Sequence, residues 1–253
     1  MSLRNGFRLL ATRSLQAILR LRSESLVDAL APGPVLIVAP HPDDESLGCG
    51  RLIVNLCNRG IEVDLVWLTD GGASQSDFPG GPAALGATRR AEARAAGEIL
   101  GLSPHRLHHL GAPDGLLPHL GVGRRCEVLA ALTGLVETLR PSTVFVTSSL
   151  DDSTEHTAAH ALVAEALRAA KHPAQLRTYL VWAFWKVRGL WTIVRHAPSI
   201  AFLPTTPTAT ATRHRALLAH RTQTTTQSPH DEPLLSRHFL ACFPRTGEFF
   251  LSI

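Results

Sequence analysis

The chain of 253 residues is 45% hydrophobic and 18% charged, and its formal net charge at pH 7 is +4. This balance excludes an intrinsically disordered protein, and the length suits one domain with a continuous hydrophobic core. Four widely spaced cysteines without a Cys-x-x-Cys pair exclude a disulfide framework and a thiolate zinc site, and they favour a reducing, cytoplasmic compartment. The arginines are scattered and no nucleic-acid recognition motif is present, so we expect no nucleic-acid partner.

Residues 1–30 form a basic, amphipathic segment in which leucines, Phe7 and Ile18 alternate with five arginines. The arginines interrupt every apolar stretch, which excludes a secretory signal peptide, and no apolar run approaches the roughly 20 residues of a membrane span. Three interpretations stay open: a helix packed on the domain, a helix lying peripherally on an anionic membrane, or an organellar presequence. We expect a basic N-terminal extension over residues 1–30 and a single domain over residues 31–253.

Beyond residue 30, short apolar segments alternate with segments of helical periodicity. The first predicted strand, Val35–Ala39, has no polar alternation, which is typical of a strand buried on both faces of a parallel sheet. This alternation predicts an α/β fold, with a Rossmann-like open sheet that is mostly parallel and has helices on both faces. The further predicted elements are strands at 61–68, 106–110, 143–147 and 177–182, helices at 46–59, 87–100, 122–139, 157–170 and 208–226, a mobile loop at 73–85, and an irregular extension or hairpin at 185–207.

Polar residues gather directly after two of the predicted strands. His41, Asp43 and Asp44 follow the first strand, and the run Asp-Asp-Ser-Thr-Glu-His at 151–156 follows the fourth. Ligand crevices of open α/β sheets lie outside the carboxyl ends of the strands, so we expect chemistry here. A histidine and a carboxylate three residues apart can converge on one metal ion, and nitrogen and oxygen donors without thiolate favour zinc or ferrous iron. The residues alone leave a second interpretation open, in which Asp44 or Glu45 caps the following helix.

The run Pro-His-Pro-Asp-Asp-Glu at 40–45, after an aliphatic strand and before Leu-Gly-Cys-Gly, resembles the signature of the LmbE/PIG-L family of metal-dependent N-deacetylases. The resemblance implies an LmbE-like fold and an enzyme that uses a metal-activated water to remove the N-acetyl group of an amino-sugar conjugate, such as one of N-acetylglucosamine. Zinc is the implied cofactor, with ferrous iron as the alternative, and the implied partner is a small amino-sugar conjugate. By position, the resemblance makes His41 and Asp44 metal ligands and Asp43 the general base.

The same resemblance implies two substrate-binding residues. Arg89 takes the arginine position of the family's Arg-x-x-Glu element, which faces the sugar; the alternative is a solvated helix arginine paired with Glu92 or Glu98. Asp114 lies in Gly-Ala-Pro-Asp-Gly, which resembles a family turn whose aspartate accepts a sugar hydroxyl. The alternative for Asp114 is a Pro-Asp-Gly turn with a purely conformational role. The sequence leaves both alternatives open.

The third metal ligand implied by the resemblance is the last histidine of a His-Pro-Asp-His motif, and His156 takes that position. The chain departs from the motif at Ser153, where the family has a leading histidine that is associated with holding the substrate and stabilising the oxyanion. His160 shares a helix face with His156 and is the alternative ligand. The residues nominated to compensate for the absent histidine are Asp151, Asp152, His105, His108 and His119.

This departure keeps two alternative functions open beside the N-deacetylase. One is a family member that binds metal with reduced or no catalysis. The other is a deacylase of a lipid-linked or antibiotic-linked amino sugar, which the basic N-terminal segment and the aromatic residues of 182–191 would suit. For the first alternative, the presence of Asp43 is the counterargument, because a protein that only binds the metal needs no base.

Overall fold

The computed structural model describes residues 3–197, 199–226 and 232–252, which form one eight-stranded sheet with helices packed on it. Short 3₁₀ turns lie at Pro104–Arg106, Leu117–His119 and Trp182–Phe184. The strands are β1 (Glu24–Ser25), β2 (Val35–Ala39), β3 (Val63–Thr69), β4 (Leu107–Ala112), β5 (Thr143–Thr147), β6 (Gln175–Tyr179), β7 (Ser199–Pro204) and β8 (Gly247–Ser252). The helices are α1 (Leu3–Leu21), α2 (Leu26–Ala29), α3 (Asp44–Gly48), α4 (Gly50–Asn58), α5 (Gly81–Leu100), α6 (Val122–Leu139), α7 (Thr154–Ala169), α8 (Val187–His196), α9 (Pro207–Ala219), α10 (Arg221–Thr224) and α11 (Arg237–Ala241).

The strand order is β1-β7-β8-β6-β5-β2-β3-β4. Neighbouring strands run parallel except at β8, which is antiparallel to both β6 and β7. Strands β2, β3 and β5 are buried along their whole length, as their almost unbroken apolar sequences predict. The predicted Rossmann-like sheet, open and mostly parallel, is therefore confirmed.

Side chains of the central strand β2 alternate between two hydrophobic cores. Val35, Ile37 and Ala39 face a core shared with α1, α4, α5, α8 and α9, whereas Leu36 and Val38 face a core shared with α6 and α7. Helices therefore bury both faces of the sheet, as predicted, and leave the ends of its strands for binding and chemistry.

The two polar clusters meet because of the strand order. The chain leaves β2 toward β3 and β4 on one side, and then crosses back to β5 and β6 on the other side. Strands β2 and β5 are paired in parallel register from Val35 opposite Thr143 to Val38 opposite Val146, so their carboxyl ends lie side by side. Open α/β sheets bind ligands at such reversal points. Residues 41–45 and 151–156 both follow these two strand ends.

Two segments that were predicted to be irregular contain regular secondary structure. Segment 185–207 contains α8 and β7, because Leu190, Ile193 and Val194 form one buried apolar face while the flanking Arg188 and Arg195 lie on the solvent side. The loop predicted at 73–85 is shorter, since α5 already begins at Gly81. The first turn of α5 is largely exposed, and Leu85 after it is fully buried.

The helix predicted at 46–59 is divided in two. It begins earlier, as α3, and breaks at Cys49 before α4. A Cβ atom at the neighbouring Gly48 would lie 2.3 Å from the ring of Tyr179, so only glycine allows the helix to approach the sheet this closely. The break therefore reflects tight packing just behind the first polar cluster.

Helix α1 packs beside α8 and places Leu15 and Leu19 in the larger core, and β1 then joins the sheet next to β7. Of the three interpretations of residues 1–30, packing on the domain is the arrangement of its described part, and Met1 and Ser2 lie outside the described residues. The division of the chain at residue 30 stays a prediction. Among the described helices, none has the length and apolarity needed to span a membrane.

Candidate metal centre and substrate cavity

The side chains that follow β2 and those that open α7 meet around one position. His41 Nδ1 lies 3.1 Å from Asp44 Oδ2, and His156 Nε2 lies 3.4 Å from the same oxygen. One ligand atom from each of these three residues lies within 4.8 Å of the other two. The structure thus brings together the three predicted metal ligands, which are two imidazoles and one carboxylate.

This donor set fits a cation such as zinc. Nε2 of His156 is buried and has no hydrogen-bond partner among the described residues, which leaves it free for a metal or a proton. Burial alone would lower the pKa of His156, but the carboxylates of Asp44 and Asp151 raise it to about 9. Burial would raise the pKa of Asp44, but His156 and His41 hold it well below its usual range. The site therefore favours positive charge, and a metal would displace the protons.

Asp151 fixes the orientation of His156. Its Oδ2 lies 2.6 Å from His156 Nδ1, and its carboxylate accepts the backbone N–H groups of Val181, Trp182 and Ala183 at 2.8 to 3.1 Å. A carboxylate on one nitrogen of a metal-binding imidazole sets the tautomer that leaves the other nitrogen for the metal. From the sequence, Asp151 was predicted only as a substitute for the absent histidine. The signal for its contact with His156 was its position, five residues before that histidine.

A cavity of about 360 Å³ is lined by two of the three predicted ligands, His41 and Asp44, with His156 buried behind them. A concave site that combines apolar walls with a few convergent polar groups is typical of small-molecule binding. The cavity is lined by the polar residues His41, Asp43, Asp44, Ser74, Arg89, Asp114 and Gln223, by Ala73 and Gly115, and by the apolar residues Leu47, Val181, Trp182, Leu234, Leu235 and Phe239.

The residues nominated to replace the absent histidine lie outside the described lining of this cavity. Asp151 contacts His156, the predicted metal ligand, and Asp152 is exposed at the surface. His108 pairs at 2.8 Å with a carboxylate on β3. His105 and His119 are exposed. Sequence analysis therefore proposed candidates of suitable chemistry that the fold places elsewhere.

Ser153 has a structural contact of its own at the start of α7. Its hydroxyl accepts the backbone N–H of His156 at 3.4 Å and so caps the helix. His160, the alternative ligand, is half-buried one turn later, and its nitrogen atoms are not among those that converge with Asp44. The described structure thus brings His156, and not His160, to the cluster.

Asp43 lies at the bend between β2 and α3, where its backbone φ is 123°. Residues other than glycine rarely adopt such a value. Its backbone N–H donates to Glu45 Oε2 at 3.1 Å, and its Oδ2 accepts from Arg89 Nη2 at 3.0 Å. Burial raises the pKa of Asp43 to about 7, because the positive charge of Arg89 offsets only part of the effect and the Asp44 carboxylate adds to it. A carboxyl group with such a pKa can exchange a proton at neutral pH.

Arg89 is 3% exposed, and its guanidinium donates to Asp43, to the Gly71 carbonyl at 2.8 Å and to a second backbone carbonyl. The alternative pairings with Glu92 and Glu98 are not formed, since both acids have other partners. A Cβ atom at Gly71 would lie 2.3 Å from Arg89 Nη1, so glycine is required for the guanidinium to fit. Arg89 lines the cavity next to the predicted base, and its contact with a sugar stays a prediction.

Asp114 and Glu155 approach the second nitrogen of His41. His41 Nε2 lies 3.2 Å from Asp114 Oδ1 and 3.3 Å from Glu155 Oε2, and each carboxylate also accepts one backbone N–H, at 2.8 and 2.9 Å. Burial would lower the pKa of His41, but these carboxylates and Asp44 raise it well above its usual range. The contacts direct His41 Nδ1 toward Asp44. Sequence analysis did not single out Glu155, and it predicted Asp114 as a sugar ligand, which stays a prediction.

Glu45 is buried behind the predicted metal ligands and contacts His220 and Trp67. Its Oε1 lies 3.1 Å from His220 Nε2, and its Oε2 accepts the Trp67 indole N–H at 2.8 Å. The helix predicted at 208–226 breaks at His220, where the side chain turns inward to make this contact. The carboxylates of Glu45 and Asp44 are thus engaged with histidines, which the capping interpretation of these acids does not explain. Sequence analysis missed His220 as a partner because the two residues are far apart in the chain.

A model of the PIG-L family, described as GlcNAc-PI de-N-acetylase, matches residues 36–167, which is more than half of the chain. The chain belongs to the PIG-L family. The matched region of this PIG-L protein begins in β2 and ends in α7, so it contains both clusters that build the candidate metal centre. The family predicted from the motif at 40–45 is therefore confirmed.

Two relatives of this PIG-L protein are deacetylases by name. It is 32% identical over 112 residues to diacetylchitobiose deacetylase of Thermococcus kodakarensis, which covers 44% of this chain and 39% of that protein. It is also 32% identical over 162 residues to 1D-myo-inositol 2-acetamido-2-deoxy-alpha-D-glucopyranoside deacetylase 2 of Saccharopolyspora erythraea, which covers 56% of this chain and 58% of that protein. The chain thus spans less than two thirds of the length of these relatives.

The fold is shared with a solved structure along nearly the whole chain. The N,N'-diacetylchitobiose deacetylase from Pyrococcus horikoshii superimposes with a TM-score of 0.64, at 21% identity, over 99% of this chain and 92% of that one. This similarity supports the LmbE-like sheet and its helices, including the segments beyond residue 167 that the family match does not reach.

Proposed function

We propose that this protein is a zinc-dependent N-deacetylase that hydrolyses the acetamide of an amino-sugar conjugate and releases acetate and the free amine. The observation that carries the proposal is the convergence of His41, Asp44 and His156 at the edge of a cavity that the buried Asp43 also lines. The names of the two curated relatives support the same reaction on acetylated amino sugars. Ferrous iron is the alternative ion, since nitrogen and oxygen donors also suit it.

In this proposal His41, Asp44 and His156 hold the zinc ion. When bound, the ion supplies Lewis acidity, which lowers the pKa of a water molecule and polarises the amide carbonyl. Asp43 accepts a proton from the attacking water and delivers a proton to the departing nitrogen, so that a C–O bond forms while the C–N bond breaks. Its pKa of about 7 supports both roles at neutral pH. Arg89 holds the Asp43 carboxylate in position through the 3.0 Å contact.

Asp114 and Arg89 are the proposed contacts of the sugar, because both line the cavity beside the predicted base. The apolar part of the lining, which includes Trp182 and Phe239, would pack on an apolar portion of the conjugate. This feature supports a lipid-linked or antibiotic-linked amino sugar as the alternative substrate class. We further propose a reducing, cytoplasmic location, which the four free cysteines support.

A second candidate function is a metal-binding family member with reduced or no turnover. The observation in its favour is Ser153, which caps α7 and takes the position of the family's leading histidine. The observation against it is Asp43, which is buried in a rarely adopted backbone conformation and paired with Arg89. Such strain is typical of a residue kept for function, and metal binding alone does not require it.

The proposal is tested by measuring the metal content of the purified protein and its release of amine from a panel of N-acetylglucosamine conjugates, with and without added zinc. The panel should include soluble sugars and conjugates with alkyl chains. Near-stoichiometric metal with amine release supports the proposal. Metal without release from any conjugate favours the non-catalytic function, and absence of bound metal contradicts both.

The matched variant is Asp43→Asn, which keeps the size of the side chain and removes its ability to take a proton. It should retain the metal and lose turnover by about two to four orders of magnitude, as loss of a general base does. Normal turnover by Asp43→Asn would show that another residue is the base.

A further inference from the structure

The solvent side of α1 carries an apolar stripe that the core does not use. Phe7, Leu10, Ile18 and Leu21 are 74%, 68%, 39% and 88% exposed. At about 100° per residue these positions fall on one side of the helix, about 120° around the axis from the buried Leu15 and Leu19. Helix α1 is therefore apolar on two sides, and packing on the domain explains only the inner one.

Helix α8 lies beside α1 and adds an exposed tryptophan between arginines. The two helices are joined by Arg22, which donates to the Val194 carbonyl. On the solvent side of α8, Trp191 is 49% exposed, and Arg188 and Arg195 are exposed on the same side of the helix. Tryptophan and arginine at the border of an apolar surface are typical of the membrane–water interface.

The charged side chains of α1 and α8 all have one sign. Neither α1 nor α8 contains an aspartate or a glutamate. The exposed arginines are Arg20 on α1 and Arg188 and Arg195 on α8, with Arg22 directly after α1. Two exposed acids lie at the margin, since Glu24 follows Arg22 and Asp152 contacts Lys186 just before α8. An apolar stripe bordered by an excess of positive charge is complementary to a lipid surface that carries anionic headgroups.

We propose that the exposed side of α1 and the adjoining solvent side of α8 dock peripherally on an anionic membrane. The apolar side chains enter the interface, and the arginines contact headgroup phosphates or carboxylates. A second copy of the chain fits less well, because a two-fold dimer through this surface would bring the same arginines of both copies close together. Docking of this kind requires no membrane-spanning helix.

The inner side of α1 contacts the turn that holds one residue of the cavity lining. Thr12 Oγ1, on the inner side of α1, donates to the Phe184 carbonyl at 3.2 Å, within the turn that also contains the cavity residue Trp182. Arg8 lies 3.9 Å from the centroid of the Trp185 ring. The docking itself does not rest on the proposed function.

The docking is tested by sedimentation with vesicles in the absence of substrate. The full chain is mixed with vesicles of phosphatidylcholine alone and with vesicles in which about a third of the lipid is phosphatidylglycerol. The wild type should sediment with the anionic vesicles, less with the neutral ones, and less when salt is added. Phe7→Ser/Leu10→Ser should lower the partition coefficient roughly tenfold for each side chain, and Arg188→Gln/Arg195→Gln about fivefold for each charge.

The matched control is Val122→Ser/Leu218→Ser, which removes two exposed aliphatic side chains, 82% and 52% exposed, from other helices. It should bind vesicles like the wild type, and circular dichroism should show that all variants are folded. The inference is overturned if the wild type does not sediment with anionic vesicles, or if the control loses as much binding as Phe7→Ser/Leu10→Ser. A dimer in analytical ultracentrifugation that only Phe7→Ser/Leu10→Ser dissociates, without vesicle binding, would assign the stripe to a second copy and also overturn it.

Because binding is measured without substrate, this result does not depend on deacetylase activity. Vesicle binding without amine release would support the docking surface and contradict the proposed function. Amine release from soluble conjugates without vesicle binding would support the proposed function and overturn the docking surface.

Discussion

The two polar clusters that meet between β2 and β5 are held in different ways. After β2, each of three consecutive acids has buried partners of its own: Asp43 contacts Arg89, Asp44 contacts the two imidazoles, and Glu45 contacts His220. The backbone of this cluster is also strained at Asp43, where φ is 123°. Every acid of the motif at 43–45 is therefore fixed by an independent contact.

The cluster after β5 is held mainly through Asp151, and its Glu155 contacts His41. Asp151 orients His156 and also accepts the N–H groups of residues 181–183, while Ser153 only caps α7. In the proposed mechanism the metal ligands come from both clusters and the base from the first alone. Metal binding should therefore be sensitive to changes in either cluster, whereas turnover can be lost separately in the first, through Asp43.

The largest effect is expected for His156→Ala, because it removes one of the three converging ligands. Bound zinc should fall far below one ion per chain, and amine release should be lost with it. The matched control is His160→Ala, one turn later on α7, which should retain zinc and activity. Elemental analysis of both variants checks this, and a reversal of the two results would make His160 the third ligand.

A smaller effect is expected for Asp151→Asn, which keeps the shape of the side chain that orients His156 but removes its charge. Loss of a partner behind a metal ligand typically weakens metal affinity about 10-fold to 100-fold. Zinc affinity, measured by competition with a chelating dye, should fall by this factor, whereas the exposed neighbour Asp152→Asn should leave it unchanged. Equal affinities in the two variants would mean that His156 is oriented by its packing alone.

The sequence was sufficient to predict the parts of the site that are local. The alternating pattern of strands and helices predicted the sheet, and the rule that crevices form at the carboxyl ends of parallel strands brought the clusters at 41–45 and 151–156 together. The motif at 40–45 identified the family. These predictions succeeded because each depends on residues that are close in sequence or on general topology.

The contacts that the sequence could not predict are long-range ones. Glu155 reaches His41, Glu45 reaches His220, and each pair is separated by more than one hundred residues. The helix α8 was missed for a different reason: its arginines obscured the buried face of Leu190 and Ile193. Which of several acids or histidines meets a given ligand depends on packing between distant elements, and a single sequence carries no record of it.

The smallest expected effect concerns the pH dependence set by the first cluster. Asp43 must be ionised to accept a proton, and its pKa is about 7, so kcat/KM should rise with pH through this value. Arg89 lowers that pKa through its positive charge. Arg89→Gln keeps donor groups and removes the charge, so the rise should move to higher pH, by about one unit or more for an adjacent charge.

The quantity to compare is the pH at which kcat/KM rises, and not the maximum of kcat/KM. Arg89 also lines the cavity, so its replacement will change substrate binding. The control is Arg94→Gln, on the exposed side of the same helix and paired with Glu98. This variant should keep the pH profile of the wild type. If Arg89→Gln also kept the wild-type pH profile, the ionisation that limits turnover would belong to a group other than Asp43. That result would contradict the assignment of Asp43 as the base.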